Sequence, residues 1–200
     1  MTEPGLVALA VVGAIAFVGA FIAARHPEIH PHEQRAFRTV NHLPDWLHRL
    51  LWVPMQLGNL VVGAVAGLAV AVISRDWRLA VAVALAVGLK LVAERLVRPH
   101  MAPLLPARQR PGTSQPGAIL RGADVPAAGP SFPSGHVVLV AAVASVVAHD
   151  LPPAWIWVPG LLVLLVMVGR VYVGAHNPLD VVAGLGAGVL VGSLVRLLLY

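Results

Sequence analysis

Three groups of polar residues interrupt an otherwise apolar chain, and their residue types suit phosphate chemistry. The first group contains Lys90, Glu94, Arg95 and Arg98 at the end of an apolar segment. Glu94 is four residues from both Lys90 and Arg98, so on a helix these three side chains share a face. The surplus of cations predicts an anionic ligand. The alternative is ion pairing within the group or snorkelling to the membrane interface.

The second group is the run 131–136, with the sequence Ser-Phe-Pro-Ser-Gly-His. Pro, Ser and Gly at a helix start present backbone N–H groups and a hydroxyl at the positive helix end, which suits phosphate. His136 could donate or accept a proton there. The alternative is an ordinary helix cap beside an interfacial histidine.

The third group lies between two apolar segments and contains Arg170, His176 and Asp180. Arg170 supplies a planar fork for phosphate oxygens. Asp180 follows His176 by four residues, so its carboxylate can hold the imidazole in one tautomer if the turn is helical. A turn with a capping aspartate is the alternative, but it does not explain why Arg, His and Asp coincide here.

The composition is that of an integral membrane protein. Of the 200 residues, 58% are hydrophobic and only 12% are charged, with a mean hydropathy of +0.81. Since a soluble domain carries about a quarter charged residues, a soluble enzyme and a disordered tail are excluded. The absence of Cys excludes disulfides, a thiolate nucleophile and Cys-ligated metals. Lys90 is the only lysine, so the net charge of +5 comes almost wholly from arginine.

We predict an all-α fold, a six-helix transmembrane bundle that forms one domain over residues 1–200. A spanning helix needs about 20 apolar residues, and backbone groups in lipid must pair internally. We read the first segment as a span and not a signal peptide, because Glu3 and no basic residue precedes it. The predicted spans are 5–24, 54–74, 79–98, 137–148, 155–171 and 179–199.

Six spans bring the three polar groups to the same side of the membrane. The end of the third span, the start of the fourth, the end of the fifth and the start of the sixth all face that side. Together the groups supply cations for a multivalent anion, two histidines for nucleophile and acid, and an aspartate to orient one of them. This inventory predicts phosphoryl transfer without a metal.

Two polar segments are not predicted to span. Residues 25–53 hold five histidines and an amphipathic piece around Trp46 and Trp52, so we expect them at the interface. Their carboxylates are irregularly spaced, and we predict neither a metal nor a cofactor. Residues 99–133 form a long loop, a feature that is usually functional or disordered; we expect it at the active site.

Glycines are dense in the second and sixth predicted spans, where small residues let helices approach closely. Packing within the chain is the favoured interpretation, and a homodimer through these helices is the alternative. The glycines are Gly58, Gly63, Gly67, Gly184, Gly186, Gly188 and Gly192.

These motifs resemble the type 2 phosphatidic acid phosphatase (PAP2) family of membrane enzymes. The family pattern reads Lys-x6-Arg-Pro, then Pro-Ser-Gly-His, then Ser-Arg-x5-His-x3-Asp. The second motif is complete at 133–136, and the third is intact except that Gly169 replaces its Ser. The first motif departs from the family pattern, because seven residues, not six, separate Lys90 from Arg98. We favour Arg98 because it shares a helix with Lys90, while Arg110, also followed by Pro, is the alternative.

The resemblance implies a mechanism. His176, oriented by Asp180, attacks phosphorus and forms a phosphohistidine, and His136 protonates the leaving oxygen and then activates water. The phosphoryl oxygens are bound by Lys90, Arg98, Ser134, Gly135 and Arg170.

The implied substrate is a phosphorylated lipid in the bilayer of a bacterial cell membrane, with no role for nucleic acid. We favour a polyprenyl phosphate or diphosphate, with phosphatidate or phosphatidylglycerol phosphate as alternatives and a non-catalytic lipid-binding or transport protein as another class. Most arginines lie on the motif side, which by the positive-inside rule indicates the cytoplasm. We nevertheless expect the extracytoplasmic face, because the resemblance implies it and several arginines would serve phosphate.

Overall fold

The computed structural model describes residues 3–26, 28–101, 103–104, 108–123 and 125–200, with the side chains of Val97, Arg98 and Met101 outside this description. Within these ranges the secondary structure is helical, and the one pairing of extended backbone is an isolated bridge between Gln109 and Pro130. The helices are α1 (Glu3–Ala24), α2 (Pro31–Asn41), α3 (Leu47–Met55), α4 (Leu60–Ser74), α5 (Trp77–Val92), α6 (Arg98–Met101), α7 (Pro111–Ser114), α8 (Gly135–Val147), α9 (Val158–Tyr172) and α10 (Pro178–Leu199).

Three helical stretches of the described chain are long and apolar enough to cross a membrane. They are α1, α10 and Pro153–Tyr172, which contains α9. These match the predicted spans 5–24, 179–199 and 155–171. A fourth crossing results if α3 and α4, which are bent against each other, count as one span. The all-helical prediction is confirmed, whereas the count of six spans is not.

The second predicted span, 54–74, is broken near its start. Pro54 lies in the last turn of α3, and a 3₁₀ turn at Gln56–Gly58 follows. Asn59 then adopts an extended backbone, and its Oδ1 accepts a hydrogen bond from the N–H of Val61 at 3.0 Å, which caps α4. The two helices therefore meet at 76°.

The third and fourth predicted spans, 79–98 and 137–148, correspond to shorter helices than a full crossing needs. α5 has 16 residues and passes into a π-helical turn at Ala93–Val97, and α8 has 13 residues. A helix of that length reaches only about 20 to 24 Å at 1.5 Å per residue. α8 is the more enclosed of the two, because it packs against α4, α5, α9 and α10, whereas α5 keeps an exposed apolar face at Val81, Leu85 and Leu89.

Glycines allow α10 to approach its neighbours closely. A Cβ placed on Gly188 would lie 2.5 Å from the carbonyl oxygen of Val138, and one on Gly192 would lie 2.5 Å from that of Ala142. On the other side of α10, a Cβ on Gly186 would lie 2.7 Å from the carbonyl oxygen of Gly13 in α1. These glycines thus pack within the chain. Homodimerisation through the glycine-rich helices stays a prediction.

The two segments predicted not to span cover one end of the bundle together. Asn41, at the end of α2, donates from Nδ2 to the carbonyls of Ile119 and Tyr172, each at 2.9 Å, and accepts from the N–H of Ile119 at 2.8 Å. This side chain joins α2, the long loop and the end of α9. The described part of the predicted loop, residues 108–123 and 125–133, contacts the end of α9 through Arg121 and the start of α10 through Gln115, where polar residues of the third group are found.

Candidate active site

The polar groups come together around His136, in the first turn of α8. The cations that act on this imidazole are Arg170, Lys90 and Arg110, and His176 is a further ionisable neighbour. These residues come from α5, the long loop, the last turn of α9 and the connection that precedes α10. The structure therefore brings members of all three sequence groups into one site.

His176 is buried, with 4% of its surface exposed, and a carbonyl fixes its tautomer. Its Nδ1 lies 2.9 Å from the carbonyl oxygen of Ser131. Because a carbonyl only accepts hydrogen bonds, Nδ1 must carry the proton and Nε2 the lone pair. Burial lowers the pKa of His176; the carboxylate of Asp180 opposes this, and the guanidinium of Arg170 adds to it. The imidazole is thus neutral near pH 7, with Nε2 available as a nucleophile.

Asp180 is fully buried and caps the start of α10, while its predicted role in orienting His176 stays a prediction. Its Oδ2 accepts from the N–H of Asn177 at 2.8 Å, which completes a capping box at the start of α10. The same oxygen lies 3.8 Å from Nδ1 of His176, which is too long for a hydrogen bond. The helix cap therefore holds the carboxylate beside the imidazole.

A buried ion-pair network behind Asp180 is a feature that the sequence reasoning missed. Arg108, 1% exposed, donates from Nε to Oδ1 of Asp180 at 3.2 Å and from Nη2 to Oε1 of Glu33. Glu33 also accepts from the N–H of Leu179 at 2.9 Å. Burial raises the pKa of Glu33, while the hydrogen bonds from Leu179 and Arg108 oppose that rise. No spacing rule links these residues, since Glu33 is 75 positions from Arg108.

The first sequence group meets the start of α8. The Nζ atom of Lys90 pairs with Oε2 of Glu94 at 2.7 Å, as the four-residue spacing predicts. Gly135 lies directly against this pair, because a Cβ at that position would collide with Oε1 of Glu94. Ser134 is buried, and its hydroxyl has no hydrogen-bond partner among the described residues. Lys90, Ser134 and Gly135 are therefore adjacent at the start of α8.

Of the two arginines considered for the first motif, Arg110 lies at the site. Its Nη1 donates to the carbonyl of Ala175 at 3.0 Å, and its charge acts on both His136 and His176. Arg98 begins α6, and its side chain lies outside the described residues. The described residues therefore place Arg110 beside both histidines, and the choice between Arg110 and Arg98 for the first motif stays a prediction. The pairing of Arg110 with Pro111 was the signal that identified it.

A cavity of about 140 Å³ adjoins His136 and Arg170. Its other polar walls come from α3, the following 3₁₀ turn and the long loop. The lining residues are His48, Trp52, Met55, Gln56, Asn59, Arg121, Gly122, Val125, His136, Arg170 and Val173. In the part of the chain that the structure describes, no three His, Asp or Glu side chains are grouped as metal ligands would be.

Comparison with known proteins agrees with this arrangement. A segment of 55 residues is 46% identical to an undecaprenyl-diphosphatase of Sulfolobus acidocaldarius, and it covers 27% of this chain and 26% of that relative. The fold matches the crystal structure of Aquifex aeolicus LpxE with a TM-score of 0.71 and 24% identity, over 84% of this chain and 97% of that one.

A second solved structure, a transmembrane PAP2-type phosphatidylglycerolphosphate phosphatase from Bacillus subtilis, matches with a TM-score of 0.68 and 22% identity, over 92% of this chain and 94% of that one. At 24% and 22% sequence identity, these two solved structures show that this chain shares their fold. The PAP2 superfamily model itself matches residues 76–200, which contain all three motifs and more than half of the chain. The resemblance inferred from the motifs is confirmed: the chain belongs to the PAP2 superfamily.

Proposed function

We propose that this protein is a metal-independent lipid phosphate phosphatase that works through a phosphohistidine on His176. The observation that carries the proposal is the fixed tautomer of His176, whose Nδ1–H is engaged by the carbonyl of Ser131 at 2.9 Å. Nε2 is thereby left with its lone pair in a site surrounded by cations. A buried neutral imidazole among arginines and a lysine suits attack on a phosphorus whose oxygens are negatively charged.

The reaction proceeds in two displacements. Nε2 of His176 forms a bond to phosphorus, the bond from phosphorus to the leaving oxygen breaks, and that oxygen takes a proton from His136. His136 then accepts a proton from water, the water oxygen attacks phosphorus, and the bond from Nε2 to phosphorus breaks to release inorganic phosphate. Each of the two histidines thus returns to its starting state.

The other site residues bind the phosphoryl group. Lys90, Arg110 and Arg170 supply charge, and the N-terminus of α8 supplies the Ser134 hydroxyl and the Gly135 backbone N–H. These donors gain strength as charge moves to the equatorial oxygens in the transition state. Arg98 stays a candidate donor beside them.

A polyprenyl phosphate or diphosphate is the favoured substrate. The relative that shares 46% identity over 55 residues is an undecaprenyl-diphosphatase, which supports this class. Phosphatidate and phosphatidylglycerol phosphate are the alternatives, the second supported by the name of the Bacillus subtilis neighbour. A lipid-binding or transport protein without catalysis is the candidate of another class.

We place the active site at the extracytoplasmic face. The excess of arginine on this side opposes that choice by the positive-inside rule. Three of these arginines, however, are bound within the fold: Arg108 to carboxylates, Arg110 to the carbonyl of Ala175, and Arg121 to the carbonyls of Asn41 and Tyr172. Their presence is explained by the site, so they carry little information about topology.

The test is phosphate release from detergent-solubilised protein in excess chelator. Wild type and His176→Ala are offered a polyprenyl diphosphate, phosphatidate and phosphatidylglycerol phosphate. His42→Ala, an exposed histidine at the end of α2, is the matched control. Release by wild type and His42→Ala, but not by His176→Ala, supports the proposal and ranks the substrates. Absence of release from every lipid would favour the binding or transport class.

A further inference from the structure

Arg108 connects the two groups that lie against Nδ1 of His176. Its backbone carbonyl accepts hydrogen bonds from the N–H of Ser131 at 3.0 Å and from the Ser131 hydroxyl at 3.2 Å. The carbonyl of the same Ser131 accepts the Nδ1–H of His176. The side chain of Arg108 donates from Nε to Asp180, whose other carboxylate oxygen lies 3.8 Å from Nδ1. One buried residue therefore holds both neighbours of the protonated nitrogen.

Glu33, in α2, is the second carboxylate bound to Arg108. Its Oε1 accepts hydrogen bonds from Nη2 of Arg108 and from the N–H of Leu179 at 2.9 Å. Leu179 lies in the first turn of α10, directly before Asp180. The carbonyl of Asp180 in turn accepts from the N–H of Ser134 at 3.0 Å, at the start of α8. Glu33 thus holds both Arg108 and the backbone beside Asp180.

Glu33 belongs to a part of the chain that the three motifs do not include. It lies on the buried side of α2 together with Phe37 and Asn41. The PAP2 superfamily model matches residues 76–200, so α2 lies outside the matched range. A role for Glu33 therefore follows from the contacts of this chain and not from a motif.

The charge balance of this network gives Glu33 an effect beyond packing. Arg108 is shared by two carboxylates, those of Glu33 and Asp180. Without the charge of Glu33, Asp180 and Arg108 would form a neutral pair, and the field of the carboxylate at His176 would be largely cancelled. With Glu33 present, the three groups formally carry one net negative charge beside the imidazole. In a buried site, water and salt screen such a charge only weakly.

The reaction creates a positive charge where this field acts. In the proposed function, on which this inference rests, the lone pair of Nε2 forms the bond to phosphorus while Nδ1 keeps its proton. The bond from phosphorus to the leaving oxygen breaks with its electron pair, and the ring of His176 becomes cationic. When water attacks phosphorus, the electron pair of the N–P bond returns to Nε2 and the ring becomes neutral again. A nearby negative charge therefore stabilises the transition states and the intermediate more than it stabilises the free imidazole.

We propose that Glu33 is a positioning residue for the nucleophile and that it acts through Arg108. It holds Arg108 in contact with Ser131 and Asp180, and it balances the guanidinium so that the charge of Asp180 acts on His176. Helix α2 is therefore part of the machinery that prepares the nucleophile, in addition to covering one end of the bundle.

The test uses variants of Glu33 that separate charge from shape. Glu33→Gln keeps the shape and an acceptor but removes the charge, whereas Glu33→Asp keeps the charge on a shorter side chain. Glu28→Gln, at an exposed glutamate shortly before α2, is the matched control. Rates are measured in detergent with whichever of a polyprenyl diphosphate, phosphatidate and phosphatidylglycerol phosphate the wild type hydrolyses fastest.

Folding of each variant is checked by its elution volume and thermal midpoint in detergent. If Glu33→Gln fails this check, Arg108→Lys decides the outcome. A single ammonium group cannot replace the planar fork that binds two carboxylates, so this variant should also lower kcat and leave KM unchanged.

We expect Glu33→Gln to lower kcat about tenfold, which corresponds to the difference between a hydrogen bond to a charged acceptor and one to a neutral acceptor. Its KM should stay within about twofold of wild type, because Glu33 acts on the nucleophile and not on the bound phosphate. Glu33→Asp should lose less activity than Glu33→Gln. The Glu28→Gln control should match wild type.

The pH profile of kcat/KM supplies a readout that a purely structural role would not move. Burial lowers the pKa of His176, Asp180 opposes this, and Arg170 and Arg110 add to it, with His136 as a further ionisable neighbour. Removal of a negative charge favours the neutral imidazole, so the acid limb of the glutamine variant should move to lower pH than in wild type. The limb of the aspartate variant should stay at the wild-type position.

Wild-type kcat and a wild-type acid limb in Glu33→Gln would overturn the positioning role while leaving the phosphatase proposal intact, even if the thermal midpoint falls. A raised KM with unchanged kcat would also overturn it, because Glu33 would then act on substrate binding. The same conclusion follows if Glu33→Asp is as slow as Glu33→Gln and neither limb moves, because charge would then have no effect. Absence of release from all three lipids by wild type would overturn the proposed function and this inference together.

Discussion

Arg108 is the residue whose replacement we expect to be most costly outside the motifs. It is 1% exposed and pairs with two carboxylates, Glu33 at 8% exposure and Asp180 at 0%. Replacement by Met keeps much of the volume but leaves two neighbouring buried carboxylates without their cation. Removal of one partner of a buried ion pair typically costs about 3–5 kcal/mol. We therefore expect Arg108→Met to lower the unfolding free energy by about that amount.

A double-mutant cycle distinguishes this electrostatic effect from a general packing defect. Glu33→Gln keeps an acceptor for Arg108 and for the N–H of Leu179 but removes one charge, so we expect a loss of about 1 kcal/mol or less. In the double variant Arg108→Met/Glu33→Gln only Asp180 lacks a cation, so the loss should be smaller than in Arg108→Met alone. Arg38→Met, at an exposed arginine of α2, is the control and should stay within about 0.5 kcal/mol of wild type.

The assay is equilibrium unfolding in mixed detergent, followed by the loss of helical circular dichroism. Phosphate release at saturating substrate is measured in parallel, because displacement of Asp180 should also lower kcat through His176. A loss below about 1 kcal/mol for Arg108→Met would refute the idea that the network is electrostatically essential. A double variant as unstable as the sum of the single variants would do the same.

Three further outcomes follow from the structure. Burial lowers the pKa of His176 below its usual 6.5, so the unprotonated nucleophile persists to lower pH. The acid limb of the pH profile of kcat/KM should therefore lie below pH 6.5, and a limb above that value would contradict the assignment of His176 as nucleophile. Arg110→Ala should reduce kcat/KM about a hundredfold and more than Arg98→Ala does, as steady-state rates of the two variants can decide. Gly188→Leu should prevent folding, because its Cβ would lie 2.5 Å from a carbonyl oxygen of α8. Gly160→Leu should fold, because no atom lies within 4 Å of a Cβ at that position. Elution profiles in detergent distinguish a folded variant from an aggregated one.

Hydropathy predicted the long helices well because an apolar run of about 20 residues is typical of a helix that crosses a bilayer. It failed for 54–74, where Pro54 and the cap at Asn59 divide one apolar run into two helices that meet at 76°. It also predicted full spans at 79–98 and 137–148, which the structure does not confirm by length, since α5 has 16 residues and α8 has 13. Composition alone does not distinguish burial among helices from burial in lipid.

The motif residues could be identified because their chemistry is unusual for apolar segments and their spacing is local. The pair of Lys90 and Glu94, four residues apart, is of this kind. The network of Glu33 and Arg108 could not be found in the same way, because its partners meet through an irregular loop across 75 positions. The polar wall around His48 was missed for a similar reason, since the bend between α3 and α4 and the covering loop create it.

The most direct test of the proposed mechanism is to trap the covalent intermediate. Detergent-solubilised wild type and the His136→Ala variant are mixed with a polyprenyl diphosphate labelled in its terminal phosphate, quenched in alkali to preserve phosphohistidine, and digested to locate the label. We predict label on Nε2 of His176 in wild type. In His136→Ala, which lacks the acid of the first step and the base of the second, label should form more slowly and, once formed, be lost more slowly than in wild type. Turnover by wild type with no label on protein, or with label on another side chain, would contradict the mechanism.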